Sequence, residues 1–118
     1  MSCDHTLGKL GEQLAAEHLE ANGYAILHRN WKAGRKEIDI IARKGKIIVF
    51  AEVKTRSSKY FGMPEEAVGW KKEAHLHKVA GHWLERFGQG VKDIRFDILS
   101  VFILPGRPPE ILHLEDVF

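Results

Sequence analysis

The stretch from Glu37 to Arg56 constrains the fold of this chain more than any other. It reads EIDIIARKGKIIVFAEVKTR, in which two runs rich in Ile, Val and Phe flank an Arg-Lys-Gly-Lys break. This pattern is typical of two β-strands joined by a tight turn. Three charged side chains, Asp39, Glu52 and Lys54, interrupt the apolar runs. Because burying an unpaired charge is costly, they indicate a site that binds a partner or a metal ion.

The alternation of side chains along a strand predicts that these three residues share one face of the hairpin. With a two-residue turn at residues 44–45, Asp39 would lie opposite Phe50 and diagonal to Glu52. A register change of one residue would move Asp39 to the other face. The predicted site therefore depends on a particular strand register.

Two neighbouring carboxylates bind a hard divalent cation such as Mg²⁺ or Mn²⁺, which prefers oxygen ligands and keeps several waters. One such water can act as a nucleophile, and a nearby lysine can hold it or stabilise charge on a phosphoryl oxygen. Asp39, followed after a turn by Glu52 and Lys54, is thus typical of a metal-dependent phosphodiester hydrolase. The competing interpretation of Glu52 and Lys54 is a structural ion pair.

The order Glu12, Asp39, Glu52-Val53-Lys54 resembles the PD-(D/E)xK nuclease superfamily, in particular its archaeal Holliday-junction-resolvase-like branch. Nearly the whole chain resembles the bacterial YraN family of predicted endonucleases, although Lys36 stands where that family usually has Gly. The matching stretches are Gly11-Glu12, Gly23-Tyr24, Arg29-Asn30, EIDIIA at 37–42, VFAEVKTR at 49–56, Phe61-Gly62, Glu66-Ala67-Val68, Arg95-Phe96-Asp97 and the acidic-aromatic tail.

This resemblance implies a single restriction-endonuclease-like α/β domain over residues 1–118, with a mixed central sheet flanked by helices. It implies that Asp39 and Glu52 ligate magnesium or manganese, and that Lys54 takes part in catalysis. Glu12 would complete the metal shell directly or through water, although the residues alone also fit an exposed or helix-capping glutamate. The implied substrate is DNA, including branched or damaged DNA, and family analogy predicts a homodimer.

Basic residues in three segments predict contacts with nucleic acid, because cations beside an aromatic side chain suit a phosphate backbone and a stacked base. The predicted contacts are Arg29, Lys32 and Arg35 around Trp31, Arg56 and Lys59 after the hairpin, and Lys78 on a later helix, with Lys72 added by the family resemblance. Each segment also has a simpler interpretation as a solvated loop, a linker or a solvent-facing helix surface.

Local patterns predict the remaining elements. They are a helix from Thr6 to about Asn22 that packs through Leu7, Leu10, Gly11, Leu14 and His18, a strand over 24–29, a basic loop over 31–36, a helix from Pro64 to Phe87, and strands over 94–104 and 110–114. The second helix is predicted to pack through Leu76, Val79, Ala80, Trp83, Leu84 and Phe87. Arg95 and Asp97 are predicted to form a structural ion pair.

Composition adds weaker limits. The 118 residues are 44% hydrophobic and 29% charged, which suits one domain, and a net charge of +2 permits nucleic-acid binding without requiring it. The single cysteine, Cys3, suits a reducing cytosol, and no segment has the pattern of a signal peptide or a membrane span. We therefore expect a cytoplasmic protein without membrane contact. Two other classes stay open: a non-catalytic nucleic-acid-binding or assembly module with the nuclease fold, and a protein-interaction adaptor.

Overall fold

Two helices and five strands form within residues 3–57 and 70–118, the residues that the computed structural model describes. In chain order they are α1 (Cys3–Ala21), β1 (Ala25–Ala33), β2 (Lys36–Lys44), β3 (Ile47–Arg56), α2 (Trp70–Phe87), β4 (Asp93–Phe102) and β5 (Glu110–Leu114). The strands lie in one sheet in chain order, from β1 to β5. The pair β3 and β4 is parallel because α2 connects them, and the other three pairs are antiparallel. This is the predicted α/β arrangement with a mixed sheet.

The two helices cover opposite faces of the sheet, since successive side chains of a strand point to opposite sides. α1 packs on the face that carries Val49 and Ala51, whereas α2 packs on the face that carries Ile48 and Phe50. Continuing the alternation along β3 places Glu52 and Lys54 on the α2 side. The predicted site therefore lies at the carboxyl end of β3, between the sheet and α2.

The packed face of α1 differs from the prediction. Its most buried residues are Gly11, Ala15, Ala16 and Leu19. Leu10, which was predicted to pack, is 45% exposed. A Cβ atom at Gly11 would overlap the side chain of Thr55 on β3, so this glycine lets the helix backbone lie directly against the strand. The small residues Gly11, Ala15 and Ala16, together with Leu19, therefore form the packed face of α1 in place of Leu10.

The ends of α1 agree only partly with the sequence signals. The helix begins at Cys3, so Thr6 lies inside it and not at its N-cap. Its C-terminal end follows the prediction, because Ala21 is the last helical residue and Gly23 has a φ of 89°. Glycine tolerates this left-handed conformation, which is common just after a helix.

The hairpin of β1 and β2 is longer than predicted. β1 continues to Ala33 and β2 begins at Lys36, so most of the predicted basic loop is strand. Asn30 has a φ of 52°, a left-handed value that interrupts the regular alternation of β1. Arg29 consequently hydrogen-bonds to α1, whereas Trp31 contacts α2.

The hairpin of β2 and β3 has a different turn from the predicted one. Lys44 pairs with Ile47, so Gly45 and Lys46 are the turn residues. The register of the paired residues therefore differs by two from the prediction, and the ladder ends at Ile40 and Ala51, one residue short of Asp39 and Glu52. Because a shift of two residues keeps every side chain on its face, the predicted facing of the carboxylates is retained.

Packing of α2 largely follows its apolar pattern. Leu76, Val79, Ala80 and Trp83 are buried as predicted, whereas Phe87 at the end of the helix is 43% exposed. The predicted start of this helix, at residues 64–69, lies outside the described residues. No helix in the described part of the chain is long and apolar enough to cross a membrane.

The last two strands complete the sheet. β4 begins and ends close to its predicted limits, and β5 spans residues 110–114 as predicted. On β4, Arg95 and Asp97 form the predicted ion pair through two hydrogen bonds of 2.9 and 2.8 Å. This pair lies on the α1 side of β4, because β4 alternates in the same way as β3.

Candidate functional site

Asp39 lies where the backbone ladder between β2 and β3 ends. The last described pair of this ladder joins Ile40 and Ala51. One step further, Oδ2 of Asp39 accepts a hydrogen bond of 2.8 Å from the amide of Val53. The carboxylate therefore takes a backbone donor that faces β2, and this bond fixes the side chain beside β3.

Asp39 and Glu52 line one cleft of about 470 Å³ between the sheet and α2. We call it the carboxylate cleft. Its other lining residues are Arg35, Lys36, Glu37, His75, Leu76 and Val79. Glu52 is only 7% exposed, whereas Asp39 is partly accessible to solvent. The structure thus brings together the two predicted metal ligands in a cleft open to water.

The electrostatics of the carboxylate cleft favour a cation. Burial and, after it, the negative charge of Glu52 raise the pKa of Asp39 to about 7, against the opposing hydrogen bond from Val53. The charges of Glu12 and Glu37 also raise this pKa. A carboxyl group whose ionisation is opposed by neighbouring carboxylates is stabilised in its charged form when a metal ion binds.

Lys54 lies beside the second carboxylate of the cleft. Its Nζ is 3.8 Å from Oε2 of Glu52, with the lysine side chain 28% exposed. This distance makes an ion pair but is too long for a hydrogen bond. The ammonium is therefore near the cleft without being fixed by Glu52, so the structural and catalytic interpretations both fit this geometry.

Glu12 lines a different cleft, of about 390 Å³, on the α1 side of the sheet. The other lining residues are Leu7, Gly8, Val53, Thr55, Arg56 and Ser57. Val53 separates this cleft from Glu52, because adjacent residues of β3 face opposite sides. The effect of Glu12 on the pKa of Asp39 nevertheless shows that its charge reaches the first carboxylate.

The donor set suits a metal that needs few protein ligands. Within residues 3–57 and 70–118, no group of three His, Cys, Asp or Glu side chains is arranged to hold a metal ion. Zinc sites need three or four such ligands, whereas magnesium is commonly held by one or two carboxylates together with waters and substrate phosphates. Asp39 and Glu52 fit magnesium or manganese in this respect.

A second cleft of about 640 Å³ on the α2 side is strongly basic, and we call it the basic cleft. Its lining residues are Trp31, Lys32, Ala33, Gly34, Arg35, Lys36, Lys78, His82 and Arg86. Five of these are Lys or Arg, and the described lining contains no Asp or Glu. Arg35 and Lys36 also line the carboxylate cleft, so the two clefts are adjacent.

Three of the predicted nucleic-acid contacts, Lys32, Arg35 and Lys78, meet in the basic cleft. Arg29 lies elsewhere, because its Nη1 donates a hydrogen bond of 2.8 Å to Gln13 on α1. Arg56 lines the cleft of Glu12, and its buried Nε has no hydrogen bond among the described residues.

Two further predicted contacts cannot be placed in either cleft. Lys59 and the side chain of Lys72 lie outside the described residues.

Sequence reasoning missed several lining residues. Glu37 and His75 line the carboxylate cleft, and Arg86 lines the basic cleft. Arg86 was detectable, since it continues the helical stripe of Lys78 and His82 by another four residues. Glu37 offered no such signal, because its position at the mouth of the site depends on the length of β2.

The comparisons with known proteins match nearly the whole chain. Residues 11–101 match the model of the uncharacterised protein family UPF0102. A UPF0102 protein of Alkaliphilus metalliredigens is 45% identical over 113 residues, which cover 96% of this chain and 97% of that protein. One from Dictyoglomus turgidum is 46% identical over 109 residues, with coverage of 92% and 91%. Another from Frankia alni is 40% identical over 118 residues, with coverage of 100% and 98%. The matched region includes both clefts.

Proposed function

The chain belongs to the UPF0102 protein family, and from its geometry we propose that this protein is a metal-dependent nuclease that hydrolyses phosphodiester bonds of DNA. The observation that carries this proposal is the pairing of Asp39 with Glu52 in the carboxylate cleft. Burial and, after it, the charge of Glu52 raise the pKa of Asp39, as expected for carboxylates arranged to share a cation. The adjoining basic cleft supplies positive charge for the substrate backbone.

Four residues in and near the carboxylate cleft have definite roles in this proposal. Asp39 and Glu52 hold a divalent ion, which when bound supplies Lewis acidity and lowers the pKa of water. Lys54 stabilises the negative charge that develops on a non-bridging phosphoryl oxygen, or orients the attacking water. Glu12, on the opposite side of β3, contributes through its negative charge, which favours a cation at Asp39. The hydrogen bond from Val53 keeps Asp39 oriented toward the cleft.

The test is a cleavage assay with the purified full chain on single-stranded, duplex and four-way-junction DNA, in magnesium, in manganese and in EDTA. Replacing Asp39→Asn or Glu52→Gln removes a ligand charge and keeps the side-chain shape. Losing outer-shell partners of a metal already costs about 10–100-fold in activity, so losing a ligand should lower the cleavage rate at least about 100-fold.

Asp93→Asn is the matched control, because it makes the same change at the exposed start of β4, at the other end of the sheet. This variant should cleave at the wild-type rate. Equal cleavage by the wild type and Asp39→Asn, or cleavage that persists in EDTA, would contradict the proposal.

The basic cleft also supports a second candidate function, a nucleic-acid-binding module without catalysis. Its five cations and its aromatic side chain are sufficient for binding whether or not the carboxylates act. Salt-dependent binding in the cleavage assay, without metal-stimulated cleavage of any substrate, would favour this second function over hydrolysis.

A further inference from the structure

An aromatic side chain lines the basic cleft in addition to its cations. Trp31 on β1 lines the cleft, and its ring centroid lies 6.3 Å from that of Phe87 in an edge-to-face arrangement. His28 lies 4.8 Å from Phe87 and 6.5 Å from Trp31, so the three rings form one cluster. Trp31 is partly buried and packs against the apolar core beneath α2, so its indole is held in place with only part of its surface at the cleft.

Phe87 carries the aromatic surface toward solvent. It is 43% exposed, and the guanidinium group of Arg86 lies 5.2 Å from the centre of its ring. Arg86 in turn lines the basic cleft. Phe87 itself does not line the cleft, but its exposed ring lies next to Arg86, which does. Positive charge beside aromatic surface is the combination by which proteins bind single strands through phosphate contacts and base stacking.

An aromatic side chain in the cleft distinguishes between two forms of nucleic acid. Lysine and arginine side chains attract the phosphates of duplexes and single strands alike. In a duplex, however, the base faces are stacked inside and become accessible only after a base is flipped out. An indole at the cleft surface can therefore stack on a base of an unpaired strand.

The position of the basic cleft connects this strand to the proposed chemistry. Arg35 and Lys36 belong to both clefts, so a strand that occupies the basic cleft continues directly toward Asp39 and Glu52. We propose that the basic cleft holds an unpaired strand of the nucleic-acid substrate, with a base stacked on Trp31. This inference rests on the proposed function and specifies the form of the substrate at the same site.

Binding in EDTA tests the inference without cleavage. Fluorescence anisotropy would compare oligo-dT, oligo-U and a duplex of equal length, using the full chain and the matched variants Trp31→Leu and Trp31→Phe. Trp31→Leu keeps an apolar side chain but loses the stacking surface, so single-strand affinity should fall at least about fivefold, with duplex affinity within about twofold of wild type. Trp31→Phe should retain most of the affinity.

Selective loss on either oligonucleotide supports the inference. An equal loss on single strands and duplex, or no loss on single strands, would overturn it. Lys78→Gln provides a contrast, because removing a phosphate contact should weaken binding of both forms.

Crosslinking of the unaltered chain keeps the test independent of any folding defect in the variants. Ultraviolet crosslinking to an oligonucleotide that contains 5-bromodeoxyuridine, followed by mass spectrometry, should modify Trp31. Crosslinks found only at residues outside the basic cleft would reject the inference. Selective binding through Trp31 without metal-dependent cleavage would reject the hydrolytic proposal alone, whereas cleavage that requires Asp39 without selective binding would reject only the stacking.

Discussion

The surroundings of Asp39 disfavour its charged form, although this residue lies at the proposed metal site. Its carboxyl group lies beside Glu52 and is partly removed from water, so ionisation of Asp39 costs free energy in the folded chain. Groups that are unfavourable for folding are often retained where a ligand needs them. The hydrogen bond from Val53 offsets only part of this cost, which leaves a charge that a bound cation would neutralise.

The raised pKa predicts how stability depends on pH. The pKa of Asp39 rises from its ordinary value of 3.8 to about 7 on folding, so its contribution to stability is complete below pH 3.8 and is lost as pH rises through 7. Asp39→Asn cannot ionise. In EDTA at pH 8, it should be more stable than the wild type by about 1–3 kcal/mol, with no difference near pH 4.

Urea denaturation between pH 4 and pH 8 would measure this difference. The predicted stability difference takes into account that the carboxyl group is partly exposed, which weakens the effect of burial. Asp93→Asn, at an exposed position, should change stability by less than about 0.5 kcal/mol at every pH. A destabilised Asp39→Asn at pH 8 would show that the ionised carboxylate is held by favourable contacts and not opposed by them.

The close packing of α1 on β3 places Glu12 beside the sheet. The helix approaches so closely that Gly11 leaves no room for a side chain next to Thr55. This contact fixes both the rotation of α1 and its position along the strand. Glu12, the next residue, consequently lies at the cleft beside Val53 rather than in solvent.

A pair of glycine substitutions tests this packing. Gly11→Ala gains helix propensity of about 1 kcal/mol but forces the helix away from Thr55, so it should destabilise the fold by about 1–3 kcal/mol. Gly81→Ala on α2 is the control, because its added methyl group meets no described atom within 4 Å. It should stabilise the fold by about 0.5–1 kcal/mol. Chemical denaturation would measure both, and stabilisation by both substitutions would show that the contact at Gly11 is not tight.

Sequence patterns predicted the elements better than their contacts. The hairpin alternation placed Asp39 and Glu52 on one face even though the turn was assigned to a different pair of residues, which changed the register by two. The physical reason is that side chains stay on the same face of the sheet after an even register shift and change face after an odd one. In addition, a glycine can occupy more than one position of a two-residue turn. The parallel pairing of β3 and β4 was likewise predictable from the helix between them.

Two features could not be obtained from hydrophobic periodicity. The packed face of α1 contains Gly11, Ala15 and Ala16 beside Leu19, and these small residues carry little apolar area but permit close backbone approach. The left-handed Asn30 moved Arg29 and Trp31 to opposite sides of β1, and alternation alone assigns them to one side. The basic cleft required both the bend in β1 and the docking of α2, so its full composition emerged only from the tertiary structure.

At the scale of the whole molecule, a buried network on the α1 side joins segments that are distant in sequence. Asp97 on β4 is 1% exposed and contacts Arg95, His113 of β5 and the backbone amide of Asp116, at distances of 2.7–3.0 Å. Arg95 also donates a hydrogen bond of 2.5 Å to the hydroxyl of Tyr24, just after α1. The network therefore links the start of the sheet, its last strand and the C-terminal tail.

The ionised carboxyl group of Asp97 contacts three partners in this network, so removing its charge should destabilise the whole fold. Burial alone would raise the pKa of Asp97, but hydrogen bonds from His113, Arg95 and the amide of Asp116 outweigh burial and lower it. Asp97→Asn would remove the buried carboxylate from Arg95 and leave it the exposed Glu115 at 3.6 Å, at a cost of about 2–4 kcal/mol at pH 7. Arg107→Gln, which removes an exposed ion pair of 3.9 Å, should cost less than about 1 kcal/mol.

The lowered pKa also fixes the direction of the pH effect. The contribution of Asp97 is complete above its ordinary pKa of 3.8 and is lost as pH falls through the lower folded-state value. The stability difference between wild type and Asp97→Asn should therefore persist from neutral pH into mild acid and shrink under stronger acid, because both side chains are then uncharged. Urea denaturation across this range would measure it. A difference that stays the same in strong acid would mean that the asparagine amide destabilises the fold through its shape and not through the loss of charge. The network would then stabilise the sheet by packing alone.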